Sequence, residues 1–369
     1  KYRDCPIVLG SATPSLESLN NVEGGRYELL KLVERATDAP QPQWRIIDQR
    51  RQNEGLSPEL IELIKKHLEQ SGQVLIYRNR RGYAPVVMCQ ACGWQADCHR
   101  CSAHLTMHHS ASLLQCHHCG HQAPMPLRCP ECEDPNLVPL GAGTERLEAT
   151  LSSLFSDTPV YRVDRDAMSG RYDFENLLEE VREGGPCILV GTQMLAKGHH
   201  LPKVTLAVVL DVDQALFSGD FRAPERLGQV IYQVAGRAGR ERSLSGQPSQ
   251  FVLQTRHPEH GLLSELRQGG YLGFAKRLLS ERQQAGLPPS EGLVLLRAEA
   301  HQPEAAVSFL KAAQKPLTQA GLMAQGPIAS IMPKRGGYWR YQLWLQAPSR
   351  AQLIEGVSRE WMNLYRLPS

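Results

Sequence analysis

Four C-x-x-C pairs, Cys89/Cys92, Cys98/Cys101, Cys116/Cys119 and Cys129/Cys132, hold eight of the chain's ten cysteines. Repeated two-residue gaps suit tetrahedral thiolate coordination, because a short knuckle points both sulfurs at one metal. They predict two Cys₄ zinc sites. A disulfide framework would suit a secreted chain; the opening Lys1-Tyr2-Arg3-Asp4 has no apolar stretch of signal-peptide type. None of the pairs is followed directly by His, as haem attachment requires. Reach argues for one pairing. Cys92 and Cys98 are too close for a strand out and back, whereas Cys101 and Cys116 are far enough apart for a hairpin turning at Ser110-Ala111-Ser112. Cys98, Cys101, Cys116 and Cys119 then form a zinc ribbon, and Cys89, Cys92, Cys129 and Cys132 close around it. A crossed arrangement stays open on spacing alone, as does His ligation, since seven of the thirteen His lie between His99 and His121.

Outside this module the chain alternates strand-like and helix-like segments. Strands are predicted at residues 73–77, 160–163, 187–190, 204–210 and 250–253, and helices at 58–70, 145–155, 174–182 and 223–235. The run Leu206-Ala207-Val208-Val209-Leu210 is apolar throughout, as a strand covered on both faces should be. The alternation predicts an α/β parallel sheet with helices on both faces. A length of 369 residues favours two or three domains, and no apolar run approaches the ~20 residues that span a bilayer. The net charge of +3 places any nucleic-acid surface in a local patch.

Open α/β sheets bind ligands at the carboxyl ends of their strands. The loops there are polar: Arg78-Asn79-Arg80-Arg81-Gly82, then Gly191-Thr192-Gln193 running on to Lys197-Gly198, then Asp211-Val212-Asp213. The next helical segment ends in Gln233-Val234-Ala235-Gly236-Arg237-Ala238-Gly239-Arg240, where two arginines three apart share one face and can present forked donors to phosphate.

Three of these strings look familiar. Gly10-Ser11-Ala12-Thr13-Pro14 resembles motif III, residues 191–198 motif V and residues 233–240 motif VI of superfamily 2 helicases. Two Cys₄ sites inserted in the second motor lobe narrow the resemblance to the bacterial primosomal replication-restart helicases, from motif III almost to the C-terminus. It implies an ATP-dependent 3′→5′ DNA helicase that recognises stalled or abandoned forks and restarts replication by primosome assembly. Arg240 would be the arginine finger, with Arg237 beside it and Gln233 orienting water or phosphate. Gly191, Thr192, Thr144, Arg80 and Arg81 would contact DNA, and Ser11 and Thr13 would couple ATP state to DNA. Ser11 and Thr13 also suit an ordinary capped turn at a helix start.

The 369 residues contain no G-x-x-x-x-G-K-[ST] string and no D-E-x-H-type acidic motif before Gly10. The P-loop lysine, the Mg²⁺-binding acid and the family's N-terminal 3′-DNA-end-binding domain would precede Lys1. The chain also lacks an initiator Met, so a fragment carrying half an ATPase site is expected. A non-catalytic zinc-and-DNA scaffold, or another zinc-containing superfamily 2 helicase, is the alternative.

The implied organisation is the end of a RecA-like lobe 1 (1–36), RecA-like lobe 2 (37–88 and 135–256), the two-zinc module (89–134) and a C-terminal α+β domain (257–369). The last resembles a split βαβ sandwich lacking its final strand: strand 293–300, helix 304–319, short strand 328–332, strand 338–347 and helix 350–365. Lys334-Arg335-Gly336-Gly337-Tyr338-Trp339-Arg340 interleaves cations with aromatics, which makes Lys334, Arg335 and Arg340 candidate DNA contacts. Alternation puts Trp339, Tyr341, Leu343 and Leu345 on the core face. The resemblance further implies ATP and Mg²⁺, forked and single-stranded DNA, the single-stranded DNA-binding protein with its acidic tail (Arg350 being the candidate contact), and the primosomal proteins PriB and DnaT. A monomer in the bacterial cytoplasm, away from membrane, is expected.

Overall fold

The computed structural model describes residues 5–32, 40–50, 55–79, 86–108, 113–140, 144–164, 171–196, 201–239 and 248–364. The chain forms two compact units: residues 1–82 with 143–278, and residues 83–142 with 279–369.

The first unit starts with α1 (Leu16–Glu23), β1 (Gln43–Asp48), α2 (Pro58–Glu69) and β2 (Gln73–Arg78). The chain then leaves to build β3 (Val86–Cys89), β4 (Thr106–His108), β5 (Leu113–Gln115), β6 (Gln122–Pro124) and β7 (Leu137–Leu140) of the second unit. It returns with α3 (Thr144–Leu154), β8 (Val160–Val163), α4 (Arg171–Glu183), β9 (Ile188–Gly191), α5 (Gln193–Ala196), β10 (Val204–Leu210), α6 (Asp213–Leu216), α7 (Ala223–Ala235), β11 (Gln250–Thr255) and α8 (Gly261–Gln284).

Among the described residues this unit has six strands, all parallel, in the order β1-β11-β10-β2-β9-β8. Both faces are covered. Val74 and Ile76 of β2 pack with Leu60 and Ile64 of α2, while the alternate residues Leu75 and Tyr77 are buried on the other side. On that side Phe251 meets Trp44, Trp44 meets Tyr232 of α7, and the ring chain continues through Tyr271 and Phe274 of α8. Helix α2 begins where Ser57 Oγ accepts the Leu60 N–H and Pro58 presets the first turn. The predicted lobe elements match within a few residues. β1 escapes prediction because an edge strand buries little: only Ile47 is buried along it.

Gly228 of α7 faces Phe274, which is itself 1% exposed. A Cβ at Gly228 would lie 3.0 Å or closer to several ring atoms. Gly228→Ala is therefore expected to destabilise the lobe by about 1–3 kcal/mol through overpacking. A thermal melt with an unchanged midpoint would contradict that packing.

The described residues of the second unit form two sheets. The cysteine-rich module is antiparallel with order β6-β5-β4-β3-β7, and β4 pairs with β5 as the expected hairpin, whose turn at Ser110–Ser112 lies outside the described residues. β12 (Gly292–Ala300), α9 (Pro303–Gln319), β13 (Met323–Arg335), β14 (Tyr338–Ala347) and α10 (Arg350–Leu364) form the remainder, with antiparallel order β12-β14-β13. Placing the third strand between the first two is the split βαβ arrangement. Leu310, Ala313 and Leu317 of α9 pack on Leu343 and Leu345 of β14 and on Leu353 of α10. β13 is a long strand rather than the short one expected at 328–332. Its register shifts between Gln325 and Ile328 and between Ala329 and Lys334, around two prolines that cannot donate to the ladder.

Candidate metal centres and functional site

The eight clustered thiols separate into the two predicted sets. Cys89, Cys92, Cys129 and Cys132 form one, and Cys98, Cys101, Cys116 and Cys119 the other, each with its sulfurs within 4.8 Å of one another. The crossed pairing is thereby excluded. Four sulfurs about 2.3 Å from a tetrahedral zinc stand about 3.8 Å apart. The observed Sγ separations are 3.6 Å for Cys89–Cys132, 3.5 Å for Cys92–Cys129 and 3.8 Å for Cys98–Cys119. The N–H of Cys92 draws the Cys89 thiol down to about 7, whereas burial pushes Cys98 up to about 12. Four thiolates this close repel one another, so full ionisation requires a cation among them. A soft tetrahedral tetrad is a zinc site, and both sets fit. Among the described residues no His joins either set. His99 and His121 instead meet edge to face, with centroids 4.2 Å apart.

In the first unit the Gly10–Pro14 segment lies against α7. Three residues spaced i, i+4, i+8 on that helix hold it: Glu225 accepts the Leu16 N–H at 3.0 Å, Gln229 donates to the Thr13 carbonyl at 3.5 Å, and Gln233 donates to Thr13 Oγ1 at 3.1 Å. Tyr271 adds a bond from its hydroxyl to the Pro14 carbonyl. Ser11 Oγ accepts the Thr13 N–H, and Ser15 Oγ caps α1. The segment is thus both the capped turn and a partner of the Gln233 helix.

Arg237, 6% exposed, donates to the Ala196 carbonyl at 3.1 Å. That bond ties the end of α7 to the segment following Gly191. Thr192 N–H approaches the Val163 carbonyl at 3.4 Å, and Thr144 Oγ1 donates to Asp164 at 2.5 Å, so both threonines gather at the carboxyl ends of β8 and β9. A Cβ at Gly191 would run into the Val163 carbonyl oxygen, which explains a glycine there. Beside them Arg78 pairs with Asp211 at 2.5 Å. Arg80, Arg81 and Arg240 lie outside the described residues.

In the second unit Lys334 and Arg335 take partners in the cysteine module: Lys334 Nζ donates to the His99 carbonyl and Arg335 Nε to the His118 carbonyl. Arg340 pairs across the sheet with Glu299 at 2.7 Å. Leu343 and Leu345 fill the core as expected, while Gln342 on the opposite face is also buried. Arg350 is exposed at the start of α10.

Sequence reasoning missed Glu225, Gln229 and Phe217. The four-residue spacing of Glu225, Gln229 and Gln233 was available as a polar stripe on an otherwise apolar helix. Phe217, 61% exposed, follows α6 with its ring edge-on to His257 and His260. Nothing local marks it, because His257 arrives from the far end of β11.

These features define a parallel α/β lobe and a second unit that joins a two-site cysteine module to an antiparallel α+β domain. Two family descriptions match the chain: the PriA DNA helicase Cys-rich region (CRR) domain over residues 98–124, and the Primosomal protein N C-terminal domain over residues 283–365. The chain is 46% identical over 364 residues to replication restart protein PriA of Haemophilus influenzae, a match covering 97% of this chain and 49% of that protein. It is 36% identical to the protein of the same name from Rickettsia conorii (98% and 56% covered) and 35% to that of Bacillus subtilis (96% and 44%). Over the stretch it covers, the chain belongs to the PriA replication restart family. It spans about half the length of these curated relatives.

Proposed function

We propose that the chain supplies the second motor lobe, the zinc module and the C-terminal domain of an ATP-dependent 3′→5′ DNA helicase that recognises stalled or abandoned replication forks and restarts replication by primosome assembly. The observation that carries this reading is the grip of α7 on Thr13. A group at a motif III position shares a hydrogen bond with Gln233 at a motif VI position, and Arg237 continues the linkage to the segment after Gly191. Such a chain of contacts lets a change at a nucleotide be felt at the strand ends where DNA would lie.

In this reading Arg240 reaches the γ-phosphate of ATP·Mg²⁺ held mostly by the first lobe, Arg237 positions it, and Gln233 orients water or phosphate. Ser11 and Thr13 couple nucleotide state to DNA. Thr144, Gly191, Thr192, Arg80 and Arg81 contact the DNA backbone on the lobe, and Lys334, Arg335 and Arg340 contact single-stranded DNA on the second unit. Arg350 receives the acidic tail of the single-stranded DNA-binding protein. PriB and DnaT are the further primosomal partners, met by a monomer in the bacterial cytoplasm. Among the described residues no helix is long and apolar enough to cross a membrane.

A forked-DNA binding titration across salt concentrations tests the lobe surface. Log affinity should fall linearly with log salt, and Arg80→Ala with Arg81→Ala should each flatten the slope by about one while weakening binding alike for all sequences. A slope unaltered by both substitutions would remove these arginines from the interface.

A further inference from the structure

The β13–β14 turn sits over the Cys98/Cys101/Cys116/Cys119 centre. Gly336 and Gly337 form a two-residue hairpin loop, with Lys334 paired to Trp339 and Arg335 to Tyr338. Both glycines have positive φ, 61° and 92°, as a two-residue turn of this twist requires. That backbone aims the Gly336 N–H at Cys101 Sγ, 3.1 Å away, from 235 positions along the chain.

Five more bonds fasten the turn. Ser102 N–H donates to the Lys334 carbonyl at 2.8 Å, Lys334 N–H returns a bond to Ser102 Oγ at 3.1 Å, and Gly337 N–H donates to the Arg100 carbonyl at 2.7 Å. Lys334 Nζ reaches the His99 carbonyl at 3.4 Å, and Arg335 Nε the His118 carbonyl at 3.1 Å. The turn therefore grips both knuckles, 98–101 and 116–119. The other centre differs. Among the described residues, N–H donors to its sulfurs come from its own knuckles and the residues just after them: Ala91 and Cys92 to Cys89, Trp94 to Cys92, Glu131 to Cys129, and Asp134 to Cys132.

We propose that the β13–β14 turn is an outer-shell clasp of the ribbon zinc, in which Gly336 N–H donates to the Cys101 thiolate while Lys334 and Arg335 pin the turn to the two knuckles. An N–H donor spreads thiolate charge and fixes the sulfur's orientation, and outer-shell partners of this kind govern metal affinity. The C-terminal domain is then part of one zinc site and not of the other, so loading the ribbon metal and seating this turn are a single event.

Two measurements test this on the full chain. With both centres loaded with an NMR-active cadmium isotope, the Gly336 amide proton should show a through-hydrogen-bond coupling to the cadmium of the ribbon centre. Competition with a chromophoric chelator should then show Lys334→Ala/Arg335→Ala weakening the ribbon centre by about 10-fold or more, with the other centre unchanged. The unsubstituted chain supplies the first result even if the double variant folds poorly. Absence of the Gly336 coupling, or equal metal affinities in parent and variant at both centres, would overturn the clasp.

Discussion

Metal analysis of the freshly reduced chain is expected to return two zinc ions, and chelation is expected to unfold the cysteine-rich module. Among its described residues the buried aliphatics are few: Val86, Val87, Leu105 and Leu114, joined by Ala96 and most of the cysteines. So small a core cannot offset the ordering entropy of five short strands. Structural zinc in such modules contributes an apparent ~10–16 kcal/mol per site, against ~5–15 kcal/mol for the whole stability of an ordinary domain. Cys116→Ser should remove one ion and Cys129→Ser the other. Acidification should release metal as protons compete for the thiolates. The parallel lobe, with a core of its own, should keep its unfolding transition in chelator. One ion per chain, or disulfides in place of metal, would sink the assignment.

Arg240→Ala is expected to cut ATP turnover by about 10³–10⁵ when the chain is joined to a P-loop lobe of the family, the range seen where an arginine finger is removed from an NTPase. Nucleotide affinity should change far less, because such a group acts mainly on charge developing in the transition state. Arg240→Lys should rescue poorly, since a point charge does not reproduce a planar fork. Unwinding should fall in parallel, because translocation needs lobes that close on ATP and reopen after hydrolysis. Near-normal turnover in Arg240→Ala would remove the motif VI reading and favour a non-catalytic zinc-and-DNA scaffold.

Where local pattern and burial coincide, the fold was legible. Residues 204–210 are apolar but for Thr205 and form β10 with those bounds in the middle of the sheet. Ser57-Pro58 announces α2 because cap chemistry is local. Legibility failed at edges and bends. β1 fully buries only Ile47, and β13 carries two prolines that conceal its length. α8 turns at Gly270, whose φ of 65° interrupts the helical repeat, so no single apolar stripe runs through it.

The candidate site divides along the same line. The two-residue knuckles of both metal centres could be read from spacing and their pairing argued from a hairpin's reach, but the crossed arrangement was excluded only by the fold. The residues of the three motifs could be named, but not their relations. That Gln233 would meet Thr13 from 220 positions away was decided by the packing of α7 against the start of the lobe. Lys334 and Arg335 show the limit most clearly. As a string they are cations beside aromatics; in the folded unit their donors go to the carbonyls of His99 and His118, and the glycine after them reaches Cys101. Sequence by itself determined the local chemistry: which thiols form two-residue knuckles, which runs are buried, where helices begin. Only tertiary structure decided which polar groups find one another, because a hydrogen-bond partner is set by where two distant segments come to rest, and no local periodicity carries that distance.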